Sequence, residues 1–376
     1  MIKKLTNPFV LHGFKGKKYF CNRESELKLL LEHVLNNRNF TLFGWRRLGK
    51  TVLLYALADI LEKKHQVQTV MIDISACRSQ QEMTLKAVDV VYEKFGAGRK
   101  GIRLGFQKLI ASLGIKMGFD PHSGMPEFSL GYNTDRPDNK LHSLQAVASF
   151  LEEQDQPVLL VFDEFQQINH FRESNTEAEL RGLTQKFPSL HFAFCGSHKG
   201  IIQSMFSSYQ RPFYKSTQLL DIKTIDESVY VKFILKKFSE HGKSISETLA
   251  SEIYSWCNGE TYSIQLICNR LFSRHDKPEN EDFINITKEL MQEQKRAYTE
   301  WLNLLSHAQV QLLKAIAREE PAENITGKSF IMKYSLGVAS SVQSAIKSLL
   351  DKEIVFKEDG QYRIHDVLFQ KWLRTL

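Results

Sequence analysis

Several things are scarce in this sequence, and each scarcity excludes a class. The five cysteines (Cys21, Cys77, Cys195, Cys257, Cys268) are odd in number and scattered, with no Cys-x-x-Cys pair. That spacing argues against a disulfide framework or a zinc ribbon and suits reduced, packed thiols. The 12 histidines form no HExxH and no other tight cluster, so no zinc-hydrolase centre is expected. Proline (9) and glycine (20) are modest for 376 residues, which argues against long disordered linkers. No apolar run reaches bilayer length, and the opening MIKKLTNPFV lacks the apolar core of a signal peptide. The expectation is a cytoplasmic protein with no membrane partner. A dominant charge is missing too: 50 basic residues stand against 43 acidic ones, a net of +7. Such a mixed surface is compatible with phosphate or nucleic-acid ligands without demanding them.

What is present is ample apolar material, 42% of residues with 25 phenylalanines, enough for two or three cores. Apolar runs alternate with helical periodicity from RNFTLFG, VQTVMIDIS and PVLLVFDE to LHFAFCGS and STQLLDI. Five strands, apolar on both faces and separated by helices, predict a parallel sheet covered on each side, an α/β fold. The Gly-rich interval 96–139, with DPHSGMPEF inside it, reads as a partly irregular insertion. After about residue 222 the strand signal stops, and four helical segments follow to about 305. From 306 to 376 three helical patterns precede IVFKEDGQYRIHD, two alternating runs around Asp-Gly, which is the order of a winged helix. The expected domains are therefore 1–222, 223–305 and 306–376.

The stretch TLFGWRRLGKTVLLYAL carries the first site. Gly44 and Gly49-Lys50-Thr51 follow a strand and open a helix, the context a P-loop needs. Backbone N–H groups of Gly44, Trp45, Arg46, Arg47, Leu48, Gly49, Lys50, Thr51 and Val52 are expected to wrap a phosphate chain, at the positive end of the following helix. Lys50 would reach the β- and γ-phosphates and Thr51 would bind Mg2+. PVLLVFDEFQQI supplies the acidic partner: Asp163 for the Mg2+ shell and Glu164 as general base on an attacking water. At FAFCGSHKG a strand ends in Ser197, a sensor beside the γ-phosphate, while His198 reads equally well as a surface residue at a helix start. Arg46 and Arg47 either neutralise the triphosphate or meet the Asp163–Glu164 pair, or else face solvent or a neighbouring subunit; one of them is expected to form a structural ion pair and the other is left open.

Those stretches, with YFCNRESELKLLLEHVL and NGETYSIQLICNRL, resemble the archaeal-type ATPases of the AAA+/STAND P-loop group, with GxRRxGKT and DEFQ as the specific pair. The tail SSVQSAIKSLLDKEIVFKEDGQYRIHDVLFQKWLR is similar to the winged helix those proteins carry, so the resemblance covers nearly the whole chain. It implies an AAA+ P-loop core, three-layered, an all-α lid over 223–305, ATP as the nucleotide, and Arg23 near the adenine. From the residues alone, Asn22 would be a helix cap. Two departures stand out. The family's Tyr-Gly-Arg is replaced by FYKST, leaving Arg211 either as the nearest candidate for an arginine inserted into a neighbouring subunit of a homo-oligomer or as a cation at the C-terminal end of the preceding helix. The family's Gly-His-Pro turn is Gly259-Glu260-Thr261.

The reading that results is a slow, Mg2+-dependent ATPase acting as a molecular switch, whose exchange of ATP for ADP controls a protein effector or self-assembly. The alternative is an ATP-gated DNA-binding protein acting through the winged helix. The recognition-helix candidate ASSVQSAIKSLLDK shows mostly serine and glutamine on its polar side, with Lys347 its main cation, which predicts few phosphate contacts.

Overall fold

The apolar runs read from the sequence pair as one parallel sheet. The structure, a computed structural model, describes residues 7–96, 100–119, 126–130 and 143–376. In chain order its strands are β1 (Phe40–Phe43), β2 (Gln68–Asp73), β3 (Ile115–Phe119), β4 (Pro126–Leu130), β5 (Val158–Asp163), β6 (Leu190–Gly196), β7 (Gln218–Asp221), β8 (Val355–Glu358) and β9 (Gln361–Ile364). The five-stranded sheet has the order β2-β5-β6-β1-β7, every neighbour parallel. Its register aligns Asp73 with Asp163, and Phe43 with both Gly196 and Asp221, so the carboxyl ends of the strands share one edge.

The chain divides into two compact units: residues 23–45 with 49–223, and the stretch up to Asn22 with 46–48 and 224–376. In the first unit β1, β5 and β6 are buried throughout, because helices α1 (Glu24–Leu35), α2 (Lys50–Ile60), α3 (Gln80–Phe95), α4 (Lys100–Ser112), α5 (Ser143–Glu152), α6 (Thr176–Lys186) and α7 (Lys199–Ser207) alternate with the strands. β7 departs from the expectation of strands apolar on both faces: three of its four residues are exposed, since it closes the sheet at an edge. The interval read as partly irregular contains α4 and the antiparallel pair β3–β4, with Phe106 and Phe128 packed on Tyr92. Most of DPHSGMPEF, from Asp120 to Met125, lies outside the described residues.

The second unit is built on α8 (Glu227–Ser239), α9 (Glu247–Trp256), α10 (Thr261–Arg274) and α11 (Asn280–Asn303), followed by α12 (His307–Glu319), α13 (Lys328–Tyr334), α14 (Ala339–Asp351), the β8–β9 hairpin and α15 (Val367–Leu373). Asp359 and Gly360, with φ of 49° and 84°, make the two-residue hairpin turn that a right-handed strand twist favours. The sequence reading did not separate α15 from the tail; its start is set by Asp366, whose carboxylate accepts from Phe369 N at 2.9 Å. Residues 7–22 also pack here rather than with the sheet, where the boundary at 222 had grouped them. Phe9 is 1% exposed, its ring 5.6 Å from Phe238 and 5.9 Å from Phe272, and Asn269 donates to its carbonyl at 2.7 Å.

Phe9→Ala should therefore destabilise the second unit by about 3–5 kcal/mol, the usual cost of emptying a buried aromatic site. Urea unfolding should show the loss as a lower midpoint with an unchanged slope. A surface-like loss below about 0.5 kcal/mol would mean the N-terminal segment is not part of that core.

Candidate functional site

The sheet register brings the ends of β1, β5 and β6 together, and the candidate residues follow from that edge. Gly44 leaves β1 where an added Cβ would meet the Ile222 carbonyl oxygen at 2.4 Å, so the loop must begin with glycine. Gly49 precedes α2, and Lys50 and Thr51 open that helix while Leu48 is buried and Val52 half-buried. The Lys50 ammonium, itself buried, donates to the carbonyls of Gly44 at 2.9 Å and Trp45 at 2.8 Å. Lys199 lies over the Trp45 ring at 5.6 Å and pairs with Asp221 at 2.8 Å.

Thr51 and Asp163 are joined directly, the hydroxyl donating to Asp163 Oδ2 at 2.8 Å. Asp163 is 6% exposed, and burial raises its pKa, opposed by hydrogen bonds from the Cys195 thiol, Thr51 and the Glu164 N–H. Burial likewise pushes the Cys195 thiol well up. Among the described residues no group of three or more His, Cys, Asp or Glu could cage a metal ion. A hydroxyl and one carboxylate side by side suit a Mg2+ ion that takes its remaining ligands from phosphate and water.

Glu164 sits in the left-handed region (φ 56°, ψ 42°) and starts the short 3-10 helix Phe165–His170. Its Oε2 accepts from Ser197 Oγ at 2.7 Å and from Gln166 Nε2 at 2.5 Å. Ser197 is 2% exposed; the adjacent His198 caps α7, its Nδ1 accepting from Ile201 N at 3.3 Å. Gly196 is tight for a different reason from Gly44: a Cβ there would meet Gln166 Oε1 at 2.5 Å and Ile202 at 2.6 Å. Gln166 escaped the sequence reading, although it stands two residues after Glu164 in DEFQ.

Two further expected residues form ion pairs within the first unit. Arg23, rather than Asn22, takes the N-cap position of α1, at φ 101° and with no side-chain cap bond. Its guanidinium pairs with Glu26 at 2.7 Å and donates to the Lys223 carbonyl at 2.6 Å. Arg211 pairs with Glu177 at 2.6 Å and donates to Asn169 Oδ1 at 2.9 Å, so reaching a neighbouring subunit would require releasing both.

The loop arginines both form ion pairs, within the second unit to which residues 46–48 belong. Arg46 pairs with Glu353. Arg47 lies 2.9 Å from Asp366, 3.7 Å from Glu260 and over the Tyr262 ring at 5.4 Å. Burial disfavours its charge, but Asp366 and then Glu260 hold its pKa above the usual value. None of these three carboxylates could be paired with the loop arginines from the sequence pattern, since all lie more than 200 residues away. A cavity of about 370 Å³ in this unit is lined by Arg46, Arg47, Trp301, Glu353, His365 and Phe369 among others.

Glu260 is 6% exposed, and burial pushes its pKa up to about 7 despite Arg47 and the Ser263 hydroxyl at 2.6 Å. Desolvation prevails because the nearest Arg47 nitrogen is 3.7 Å away and that guanidinium is closer to Asp366. A raised folded-state pKa stabilises fully below the ordinary value of 4.5 and loses that contribution as pH rises through about 7. Across this window Glu260 should withdraw on the order of 3 kcal/mol. Glu260→Gln should thus flatten the fall in stability between pH 5 and 8 relative to the parent, read by urea titration at each pH. Parallel profiles for the two proteins would refute the assignment.

The family model described as "ATPase domain predominantly from Archaea" matches residues 20–267, and one described as "Probable winged helix domain" matches residues 296–375. No curated protein matches the chain. Among solved structures, the Walker-type ATPase of Pyrococcus abyssi is similar at 19% identity and TM-score 0.68, covering 98% of this chain and 99% of that one. The ORC2 protein of Aeropyrum pernix, in ADPNP–ADP complexes, is similar at 13% identity and TM-score 0.56, over 94% of each chain. The Aeropyrum pernix ORC1 protein in complex with DNA follows at 13% identity and TM-score 0.53, over 95% of this chain and 93% of that one. These likenesses are of fold, whereas the family match spans well over half the sequence. With a parallel α/β P-loop core, an all-α segment and a winged helix at its carboxyl end, this chain belongs to the ATPase family found predominantly in Archaea.

Proposed function

We propose that the protein binds and slowly hydrolyses ATP with Mg2+, and that its nucleotide state controls a protein effector or self-assembly. The observation that carries this reading is the direct Thr51–Asp163 hydrogen bond, with Glu164 as the next residue. Residues 23–222 would form the ATPase core, 223–305 with residues 7–22 a helical lid, and 306–376 the winged helix. In the proposed chemistry Lys50 exchanges the Gly44 and Trp45 carbonyls for β- and γ-phosphate oxygens, and the loop N–H groups hold the chain of phosphates. Thr51 and Asp163 would hold Mg2+, which when bound neutralises charge on the phosphate oxygens. Glu164 accepts the proton of the attacking water through its carboxylate, and Ser197, on that same carboxylate, reports on the γ-phosphate. No helix among the described residues is long and apolar enough to cross a membrane.

Lys50→Ala should weaken ATP binding roughly 10²-fold, the worth of a charged donor on phosphate. Glu164→Gln should retain binding while turnover falls about 10²–10⁴-fold. Fluorescent-nucleotide titration with and without Mg2+, paired with phosphate release, measures both. Parent-like turnover by Glu164→Gln would remove it from the chemistry.

A second reading, DNA binding through the winged helix, draws on the likeness to the ORC1 protein that holds DNA. Against a large DNA contribution, the exposed residues of α14 include Ser340, Gln343 and Ser344 and a single cation, Lys347. Duplex titrations of the full chain at several salt concentrations should give a shallow salt slope and no sequence preference. A steep slope with sequence discrimination would place DNA ahead of the protein effector.

A further inference from the structure

We propose that Gln166 is a positioning residue for ATP turnover, holding the Glu164 carboxylate in a single orientation jointly with Ser197. The proposal rests on Glu164 acting as the base and adds to that reading a residue with no part in the loop or the acidic pair. Its basis is a closed ring of hydrogen bonds. Ser197 Oγ donates to Glu164 Oε2 at 2.7 Å, and Gln166 Nε2 donates to the same oxygen at 2.5 Å. The second amide hydrogen of Gln166 reaches Ser197 Oγ at 3.3 Å. Because the serine gives its only proton to the carboxylate, its oxygen is free to accept from the amide, so all three polar hydrogens are used. A flipped amide would set Gln166 Oε1 against a carboxylate, and the ring therefore fixes the amide as well. With Oε2 held by two donors, Oε1 is the oxygen left to receive a proton from water.

Burial separates this role from a structural one. Gln166 is 7% exposed, and its Oε1 accepts no hydrogen bond from the described residues. That oxygen instead points at the backbone of Gly196, 2.5 Å from where a Cβ would stand. An amide buried with its acceptor end unsatisfied recovers only part of its desolvation through its two N–H bonds, so burial alone does not call for a polar side chain there. The polar group is thus placed for what its N–H groups do to Glu164. The supporting strap lies behind it: Asn169 donates to the Gln166 carbonyl at 3.1 Å and accepts from Arg211, itself paired with Glu177. Arg211 in this arrangement braces the short helix that carries Gln166.

The test compares full-length parent, Gln166→Met, Glu164→Gln and the double variant by ATP affinity, kcat, kcat/KM and melting temperature. Gln166→Met should leave ATP affinity within about twofold of the parent, lower kcat and kcat/KM together by roughly 10²-fold, and remain folded at the assay temperature with at most a modest drop in melting temperature. Gln166→Asn, which keeps the amide but is one methylene too short, should lose kcat to a similar extent, and it serves if the methionine variant fails to fold. The double variant should be no slower than Glu164→Gln alone, since Gln166 acts only through that carboxylate. Parent-like kcat in Gln166→Met or Gln166→Asn, or losses that multiply in the double variant, would overturn the proposal while leaving Glu164 as base. A Glu164→Gln protein that turns over like the parent would overturn the base assignment and this proposal with it.

Discussion

The arrangement of the first unit depends on one buried carboxylate, Asp163, meeting the hydroxyl of Thr51. Burial alone would favour the neutral acid, and three donors oppose it: the Thr51 hydroxyl, the Cys195 thiol and the Glu164 N–H. Those donors come from the start of α2, from β6 and from the turn after β5. The acid is therefore usable only when the sheet is paired in its observed register, because a one-residue slip turns every side chain of a strand to the opposite face. Gly44, Lys50, Glu164 and Ser197 inherit their places from the same edge. A parallel sheet has this property in general: its strands all deliver their carboxyl ends, and the helix starts that follow, to one side.

In the second unit the comparable constraint is the charge of Arg47. Its guanidinium meets Asp366 closely and Glu260 more distantly, over the ring of Tyr262. Asp366 has two duties, capping α15 through Phe369 N and pairing with the arginine. Glu260, more deeply buried and further from the guanidinium, carries an unfavourable charge near neutral pH. A favourable close pair and an unfavourable distant acid thus share one cation, as expected when desolvation is set against a Coulomb attraction that weakens with distance.

The sequence by itself determined whatever is written in a single window. The strand-then-helix context around Gly44–Thr51, the apolar run ending in Asp163-Glu164 and the alternation around Asp359-Gly360 are periodicities of two or 3.6 with turn residues at their ends. Such patterns follow from which faces of an element must be dry, and that requirement is local. They place the candidate loop, acids and serine on strand ends without any coordinates. The helix over 100–112 and the β3–β4 pair were not legible, since glycines there mask short elements that are regular only once Phe106 and Phe128 pack on Tyr92.

Tertiary structure alone decided which polar groups meet. Nothing in a window around Phe9 shows that it packs on Phe238 and Phe272, or that the Asn269 amide donates to its carbonyl. Likewise, DEFQ contains Gln166 two residues from Glu164, but only β6, arriving with Ser197, turns that spacing into a ring of hydrogen bonds. The physical reason is the short range of these interactions: a hydrogen bond acts over about 3 Å, so its partner is chosen by whichever surface the fold brings that close. Hydrophobic periodicity selects the faces, and the packed backbone then selects the partners.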